Sequence, residues 1–407
     1  MNILLVTDSF PPEIRSASHL MQELAEELRD RGHKITVVTC YPKYNLTLEE
    51  NGKSFDEFSV ENEIEVLRVK TLSHHKVNFL MRGISQLTLP YIFESKLKKY
   101  IKKKFDIVIV YSPPLTLAHV GKRLKKKFGA RFILNVQDIF PQNAIDLGSM
   151  KSRVLINYFE RIENNAYQTA DRIIVHSVGN QEFMKERKPF LDGKLKVLHN
   201  WIDTVPYVNV KKTNIFRERY GLNDKFIFLF AGVIGPSQGL DLIVKAAKEL
   251  REISDICFLL VGDGSEKDKL AKMAESYTLS NVVFKPFISK EEYPGLVKEA
   301  DVGLVCLSSK NKTPVIPGKI LGYMAASIPV VAFLNKESDG HAIIRDAKCG
   351  YSAVSDSHDR ITQTIMNIYN ERDKLKQYGV NGFNYVSEHF EKKVCIDKLE
   401  GFFKEEI

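Results

Sequence analysis

Three loops carry residue types suited to holding a phosphate. Gly232-Val-Ile-Gly-Pro-Ser-Gln-Gly239 follows an apolar run at Phe226–Ala231 and opens a helical pattern at Leu240. Glycines there permit close backbone approach, and a helix start offers N–H groups to an anion. The same residues would equally serve a tight strand-to-helix turn. Gly262-Asp-Gly264 follows Ile256–Val261 and suits a nucleoside lying across strand ends, or a plain turn capped by Ser265. The third loop runs from Ser308 to Lys319 and feeds a helix over Gly318–Ala326. A lysine at a helix N-terminus opposes the macrodipole, and a bound diphosphate would reverse that penalty by accepting from the ammonium and the amides together. The competing reading is a solvated surface lysine.

The first half offers fewer candidates. Asp138, in Gln137-Asp-Ile-Phe-Pro-Gln142, follows a strand and is placed to hydrogen-bond sugar hydroxyls, orient an acceptor or cap a turn. Arg15 and Ser16, after the first strand, are placed to reach phosphates or an acceptor; Arg15 as a surface arginine is the alternative.

These loops need a scaffold. Asn2–Thr7, Lys34–Thr39, Ile107–Tyr111, Arg131–Val136 and Arg172–His176 read as strands, with helices such as Ser18–Asp30 between them. A second series comprises Phe226–Ala231, Ile256–Val261, Val282–Phe284, Val302–Cys306 and Val330–Phe333. Apolar strands alternating with helices predict two doubly wound, Rossmann-like α/β domains. The expected division is 1–198 and 199–384, with a C-terminal helix at about 385–407 packing back on the first domain. Ligands in such sheets bind beyond the carboxyl ends of the strands. The first strand leads into Asp8-Ser-Phe-Pro-Pro-Glu13, not GxGxxG, which argues against a dinucleotide oxidoreductase.

At 407 residues the chain is long enough for two cores. Five dispersed cysteines without a CxxC pair argue against a disulfide framework or zinc site and fit a reducing cytoplasm. No apolar run reaches a membrane-spanning length. The net charge is +8, and residues 1–200 hold 31 Lys and Arg against 23 Asp and Glu, whereas the remainder is balanced at 28 of each. Fifteen basic residues between Lys70 and Arg131 face only Glu94 and Asp106, which points to an anionic partner for the first domain.

With those pieces assembled, the sequence resembles the family 4 retaining glycosyltransferases of the GT-B fold. The resemblance rests on Phe10-Pro-Pro-Glu13, Arg31-Gly-His-Lys-Ile-Thr-Val-Val38, Asn200-Trp-Ile-Asp203, Val261-Gly-Asp-Gly264, Glu299-Ala-Asp-Val-Gly303 and Tyr323-Met-Ala-Ala-Ser-Ile-Pro-Val-Val331. Tyr111-Ser-Pro-Pro114 and Val136-Gln-Asp-Ile-Phe-Pro141 are similar to the branch that contains the L-fucosamine transferases of O-antigen and capsule clusters. The resemblance implies two domains facing each other across a cleft, a UDP-sugar substrate on the second, and an acceptor on the first. It also implies retention of configuration without a metal or other cofactor. The donor set expected is Gly235, Ser237, Gln238, Gly239, Gly262, Gly264, Pro286, Phe287, Lys310, Gly318, Lys319, Ile320 and Leu321, with Asp138, Lys319 and Arg15 as catalytic groups. Departures from the family pattern are plain. Val233 and Gln238 stand where many relatives carry Arg and Lys, Pro314 and Gly322 stand at the two glutamates of EX7E, and Gln137 replaces a common histidine.

Residues 74–105 combine lysine clusters with apolar and aromatic residues. Lys98, Lys99, Lys102 and Lys103 are expected to face the anionic inner leaflet, making the protein cytoplasmic and peripheral, within reach of a polyprenyl diphosphate-linked saccharide. A solvated lysine-rich face is the plain alternative, and nucleic acid is disfavoured because no recognition fold accompanies the charge. Two rival functions are a GT-B nucleotide-sugar epimerase and a non-catalytic sugar- or nucleotide-binding module.

Overall fold

The computed structural model describes residues 1–43, 46, 50–72, 79–146 and 148–405. The chain forms two compact units, Met1–His199 with Cys395–Ile407, and Asn200–Val394.

In the first unit eight strands form one sheet. They are β1 (Asn2–Val6), β2 (Lys34–Cys40), β3 (Phe58–Glu61), β4 (Ile64–Val69), β5 (Ile107–Ser112), β6 (Arg131–Val136), β7 (Arg172–Val175) and β8 (Leu195–Val197). Their order is β3-β4-β2-β1-β5-β6-β7-β8. Ile3, Leu4, Leu5 and Val6 are fully buried, because a strand at the centre of a parallel sheet has helices on both faces. β1 pairs in parallel with both β2 and β5, with Leu4 opposite Thr36 on one side and Val108 on the other. The order reverses at β1, so the loops after β1 and β5 diverge there. Three helices matter below: α1 (Ser16–Asp30), α2 (Phe79–Tyr100) and α3 (Ala118–Phe128). A fourth, α4, spans Arg153–Thr169.

The strands β3 and β4 go beyond the sequence expectation. They form an antiparallel hairpin whose turn places Asn62 and Glu63 at positive φ. Glu65 and Arg68 break the apolar pattern of β4, yet Arg68 is buried and donates to Glu61, Ser59 and the Pro11 carbonyl. A paired buried arginine looks like a loop residue in sequence.

The second unit has six strands: β9 (Phe226–Ala231), β10 (Ile256–Val261), β11 (Val282–Lys285), β12 (Val302–Cys306), β13 (Val330–Leu334) and β14 (Gly350–Val354). The order is β11-β10-β9-β12-β13-β14. Phe228, Phe230, Phe258 and Phe333 lie fully buried in one core layer; Tyr323, Met324 and Leu229 lie in the other. β9 pairs with β10 over six residues but with β12 over only two, Phe228 with Val302 and Leu229 with Gly303. Past Gly303 the two strands separate, and that separation is the crevice a doubly wound sheet offers a ligand. The expected C-terminal helix is two helices, Leu375–His389 and Lys392–Lys404.

Candidate active site

The separation of β9 from β12 leaves backbone groups that need partners. Tyr323, on the helix Gly318–Ala325, supplies them: its hydroxyl accepts from the Ala231 amide at 3.2 Å and donates to the Leu229 carbonyl at 2.8 Å. Gly303 makes this possible, since a Cβ there would lie 2.2 Å from the tyrosine ring. One turn earlier on the same helix, Lys319 folds back over the end of β9. Its Nζ lies 4.8 Å from the Phe230 ring centroid and donates to Gln238 Oε1 at 3.2 Å. At Gly232, with φ +145°, a Cβ would come within 2.8 Å of Lys319 Cε. The glycine therefore makes room for the ammonium stem.

Burial lowers the Lys319 pKa to about 8, and among the described residues no carboxylate opposes that shift. No side chain caps the first turn of its helix. A half-buried ammonium beside a helix start with no side-chain cap is chemically suited to an anion.

The glycines of the two preceding loops serve each other. At Gly262 a Cβ would sit 1.9 Å from the Gly232 carbonyl oxygen, and at Gly264 it would sit 2.3 Å from that of Ile234. The Gly232 and Ile234 amides donate to Val261 and Asp263, at 2.9 and 2.8 Å. The β9 and β10 loops are thus zipped backbone to backbone, as a tight-turn reading requires. Ser265 does not cap the helix that follows; Asp263 accepts from the Gly264 amide instead.

The remaining donor candidates fall into three groups. Gly235, Ser237, Gln238 and Gly239 line the β9 loop, which is tied to the third loop by Ser308 N donating to the Ser237 carbonyl at 2.8 Å. Gly239 would otherwise place a Cβ 3.2 Å from Ser308 Cα. Pro286, Phe287, Lys310 and Gly318 are exposed, Phe287 by 61%. Ile320 and Leu321 are core residues, at 0% and 3% exposure, so their side chains cannot touch a donor; the Ile320 amide is already given to Pro317. At Gly322, where the family places a carboxylate, the space belongs to the hydroxyls of Tyr293 and Tyr207, which a Cβ would meet at 3.4 and 3.5 Å. Pro314 is buried and Val233 is exposed.

In the first unit the strand ends gather a different set. Asp8, 4% exposed, forms an ion pair with Arg15 at 3.3 Å. Asp138 stands exposed after β6, where the Asp138 carbonyl accepts from the Phe140 amide at 3.0 Å. Surrounding protein raises its carboxyl pKa above the ordinary value. Burial chiefly raises the pKa of the Tyr111 hydroxyl; Asp138 and then Asp8 add to that effect and Arg15 opposes it, so all four groups share one edge of the sheet. Gln137 donates to Asn135.

The four lysines expected at a membrane are not alike. Lys98 is exposed and pairs with Glu94 at 3.0 Å, Lys99 lies over the Tyr100 ring, and Lys102 donates to the Lys98 carbonyl. Lys103 is held by Glu65 at 2.8 Å, so it belongs to the β4 edge rather than to a free basic face. Residues 74–78 of that expected face lie outside the described residues. Among the described residues no helix is long and apolar enough to cross a membrane.

Sequence reasoning missed Phe230 and Gly232 as groups that seat Lys319, and Tyr323 as the group that fills the gap between β9 and β12. The signal was present in part: an aromatic near a strand end two residues before a glycine, and a tyrosine one turn past the lysine.

Comparison with known proteins agrees with this architecture. Residues 17–205 match the model described as Glycosyltransferase Family 4, and residues 212–385 match Glycosyl transferases group 1. WcaI of Escherichia coli, named for colanic acid biosynthesis, is 26% identical over 80% of this chain and 81% of its own. The glycosyltransferase WbjE of Pseudomonas aeruginosa is 24% identical over 68% and 69%. Sucrose-phosphate synthase of Thermosynechococcus elongatus superposes with a TM-score of 0.78 at 15% identity, covering 99% of this chain and 98% of that one. HepE of Anabaena, solved with UDP-glucose, gives 0.73 at 17% identity over 99% of both.

Proposed function

The chain is a glycosyltransferase of the family 4 type with the GT-B fold, and on that premise we propose that it transfers a sugar from a UDP-sugar to a polyprenyl diphosphate-linked saccharide in surface polysaccharide synthesis, with retention of configuration and without a metal. An N-acetylated deoxyhexosamine such as L-FucNAc is the sugar proposed. The observation that carries the donor half is Lys319, an ammonium held beside Gly232 and Gln238 with no carboxylate partner among the described residues. A diphosphate placed there supplies the missing anion. The UDP complexes of HepE are consistent with that choice of nucleotide.

In the proposed reaction the bond from the sugar's anomeric carbon to the diphosphate oxygen breaks. A bond to the acceptor hydroxyl forms on the same face, and the hydroxyl proton passes to the departing phosphate. Charge then accumulates on the leaving diphosphate, where Lys319 and the first-turn amides of its helix stabilise it. Lys310 adds positive charge there, while on the first unit Asp138 holds an acceptor hydroxyl and Arg15 meets the acceptor. The protein works at the cytoplasmic face of the plasma membrane, and Lys98, Lys99 and Lys102 attract its anionic surface.

Lys319→Ala is expected to lower turnover at least tenfold, as loss of a charged transition-state contact does. The assay is release of UDP from UDP-sugars in the presence of a lipid-linked acceptor. Full turnover by a folded variant removes Lys319 from the chemistry. An epimerised sugar nucleotide with no UDP released would replace transfer by epimerisation.

A further inference from the structure

We propose that the groove between α3 and α4 seats the phosphate head group of an anionic phospholipid and docks the first unit on a bilayer surface. This deepens the membrane part of the proposed function, and rests on that reading only for where the acceptor lies.

The groove encloses about 300 Å³ and is lined by His119 and Lys122 from α3 and by Tyr158, Arg161, Ile162 and Asn165 from α4. Helical spacing explains the grouping, since Val154, Tyr158, Arg161 and Asn165 recur every three or four residues and so share one face. His119, Lys122 and Lys126 do the same on α3. The Lys122 ammonium donates to Asn165 Oδ1 at 2.9 Å, so it is drawn across the groove by a neutral partner. Arg161 is exposed. Burial lowers the His119 pKa, so the positive charge comes from Lys122, Arg123, Lys126 and Arg161. The carboxylate beside the groove, Glu94, is already engaged by Lys98 at 3.0 Å and lies 3.8 Å from Arg123.

Charge alone describes many surfaces; the rim of this one is also apolar. Val154 is 79% exposed, Tyr158 44%, Leu155 37%, and Tyr91 of α2 59%, with its ring 5.1 Å from that of His119. Two tyrosines and two aliphatic side chains standing in water around a cationic groove is costly for a protein that keeps that face in solution. It matches a bilayer boundary, where tyrosine sits at head-group level, aliphatic side chains reach the acyl boundary, and Lys and Arg meet phosphate. A soluble phosphate would use the cations and leave the apolar rim unused, so the lipid surface explains both features.

The test uses the full chain and sedimentation with vesicles of phosphatidylcholine alone or mixed 3:1 with phosphatidylglycerol. The parent is expected to bind the anionic vesicles at least tenfold more tightly than the neutral ones. Replacing Lys122, Arg123, Lys126 and Arg161 by Gln should remove that preference, and Val154→Ser with Leu155→Ser should weaken binding at least threefold at both compositions. Tyr158→Trp provides a gain of signal that needs no loss of function: its emission should shift to the blue and be quenched by brominated anionic vesicles. Unchanged binding by both multiple variants, or an unquenched tryptophan reporter on bound protein, overturns the proposal. So does displacement by inorganic phosphate at constant ionic strength, which would make the groove a soluble-anion site. Self-association in solution that the serine variant abolishes would assign the face to a second copy instead. Vesicle binding without UDP release from any donor leaves docking standing and removes transfer; UDP release without vesicle binding does the reverse.

Discussion

The strand-end edges of the two units handle charge in opposite ways. In the first, Asp8 and Arg15 neutralise each other at 3.3 Å, and Asp138 stands near them with its pKa raised. In the second, Lys319 is a cation with a neutral partner, and the loops around it are glycine and backbone. An ion pair such as Asp8–Arg15 leaves less net charge for a ligand to balance. An edge that buries one charge among amides is complete only with a ligand of opposite sign. The contrast is what favours the second unit as the proposed seat of the anionic part of a nucleotide-sugar.

The largest expected effect separates space from chemistry. Gly262→Ala would place a methyl 1.9 Å from the Gly232 carbonyl at φ +148°, so the β9 and β10 loops must unzip. It should cost at least about 3 kcal/mol in chemical denaturation. Gly318→Ala, where a Cβ meets nothing within 4 Å, should change stability by less than about 0.5 kcal/mol. Equal denaturation midpoints for the two variants would refute the close approach.

Next is the pH response of Lys319. Its folded pKa of about 8 lies below the ordinary lysine value. Between the two, the unfolded chain binds more protons than the folded one, so stability should rise with pH from about 8 towards 10. UDP binding should do the opposite, weakening as pH climbs through 8 and the ammonium is lost. Calorimetry at pH 8.5 should record proton uptake on binding; none in any buffer would mean the ligand does not meet this lysine.

Asp138→Asn tests the other edge. If the carboxylate accepts from a hydroxyl, turnover should fall several-fold with UDP affinity unchanged. Parent turnover should decline on acidification through the raised carboxyl pKa, and the Asn variant should lack that limb. The smallest effect belongs to Arg15→Ala. Because Arg15 is already paired with Asp8, the loss in turnover should stay below the tenfold expected for Lys319→Ala. A larger loss would mean that the ion pair opens for a substrate and that the two edges are less different than they look.

Much of the scaffold was legible from residue pattern. Arg131–Val136, Phe226–Ala231, Ile256–Val261 and Val302–Cys306 are strands over the spans their apolar runs indicate. The strands β3, β4, β8 and β14 were not visible. They are short, lie towards the sheet edges where burial is partial, or carry buried charge as β4 does at Arg68, so none presents a continuous apolar run. Of the candidate site, the loops were legible as places but not as arrangements. Ile320 and Leu321 belong to the donor set that the resemblance implies, and the helix turns the side chains of both into the core.

What the sequence by itself determined was periodicity: which segments are apolar on two faces, where glycines and prolines interrupt them, and which half holds the excess positive charge. Those properties are local, and a chain of 407 residues displays them before it folds. Only the tertiary structure decided that β9 and β12 part after two residue pairs, that Tyr323 closes the gap, and that Lys319 comes to rest against Gly232. Each joins residues roughly 70 to 95 positions apart, and nothing in their local spacing says that a crossover connection will bring them together.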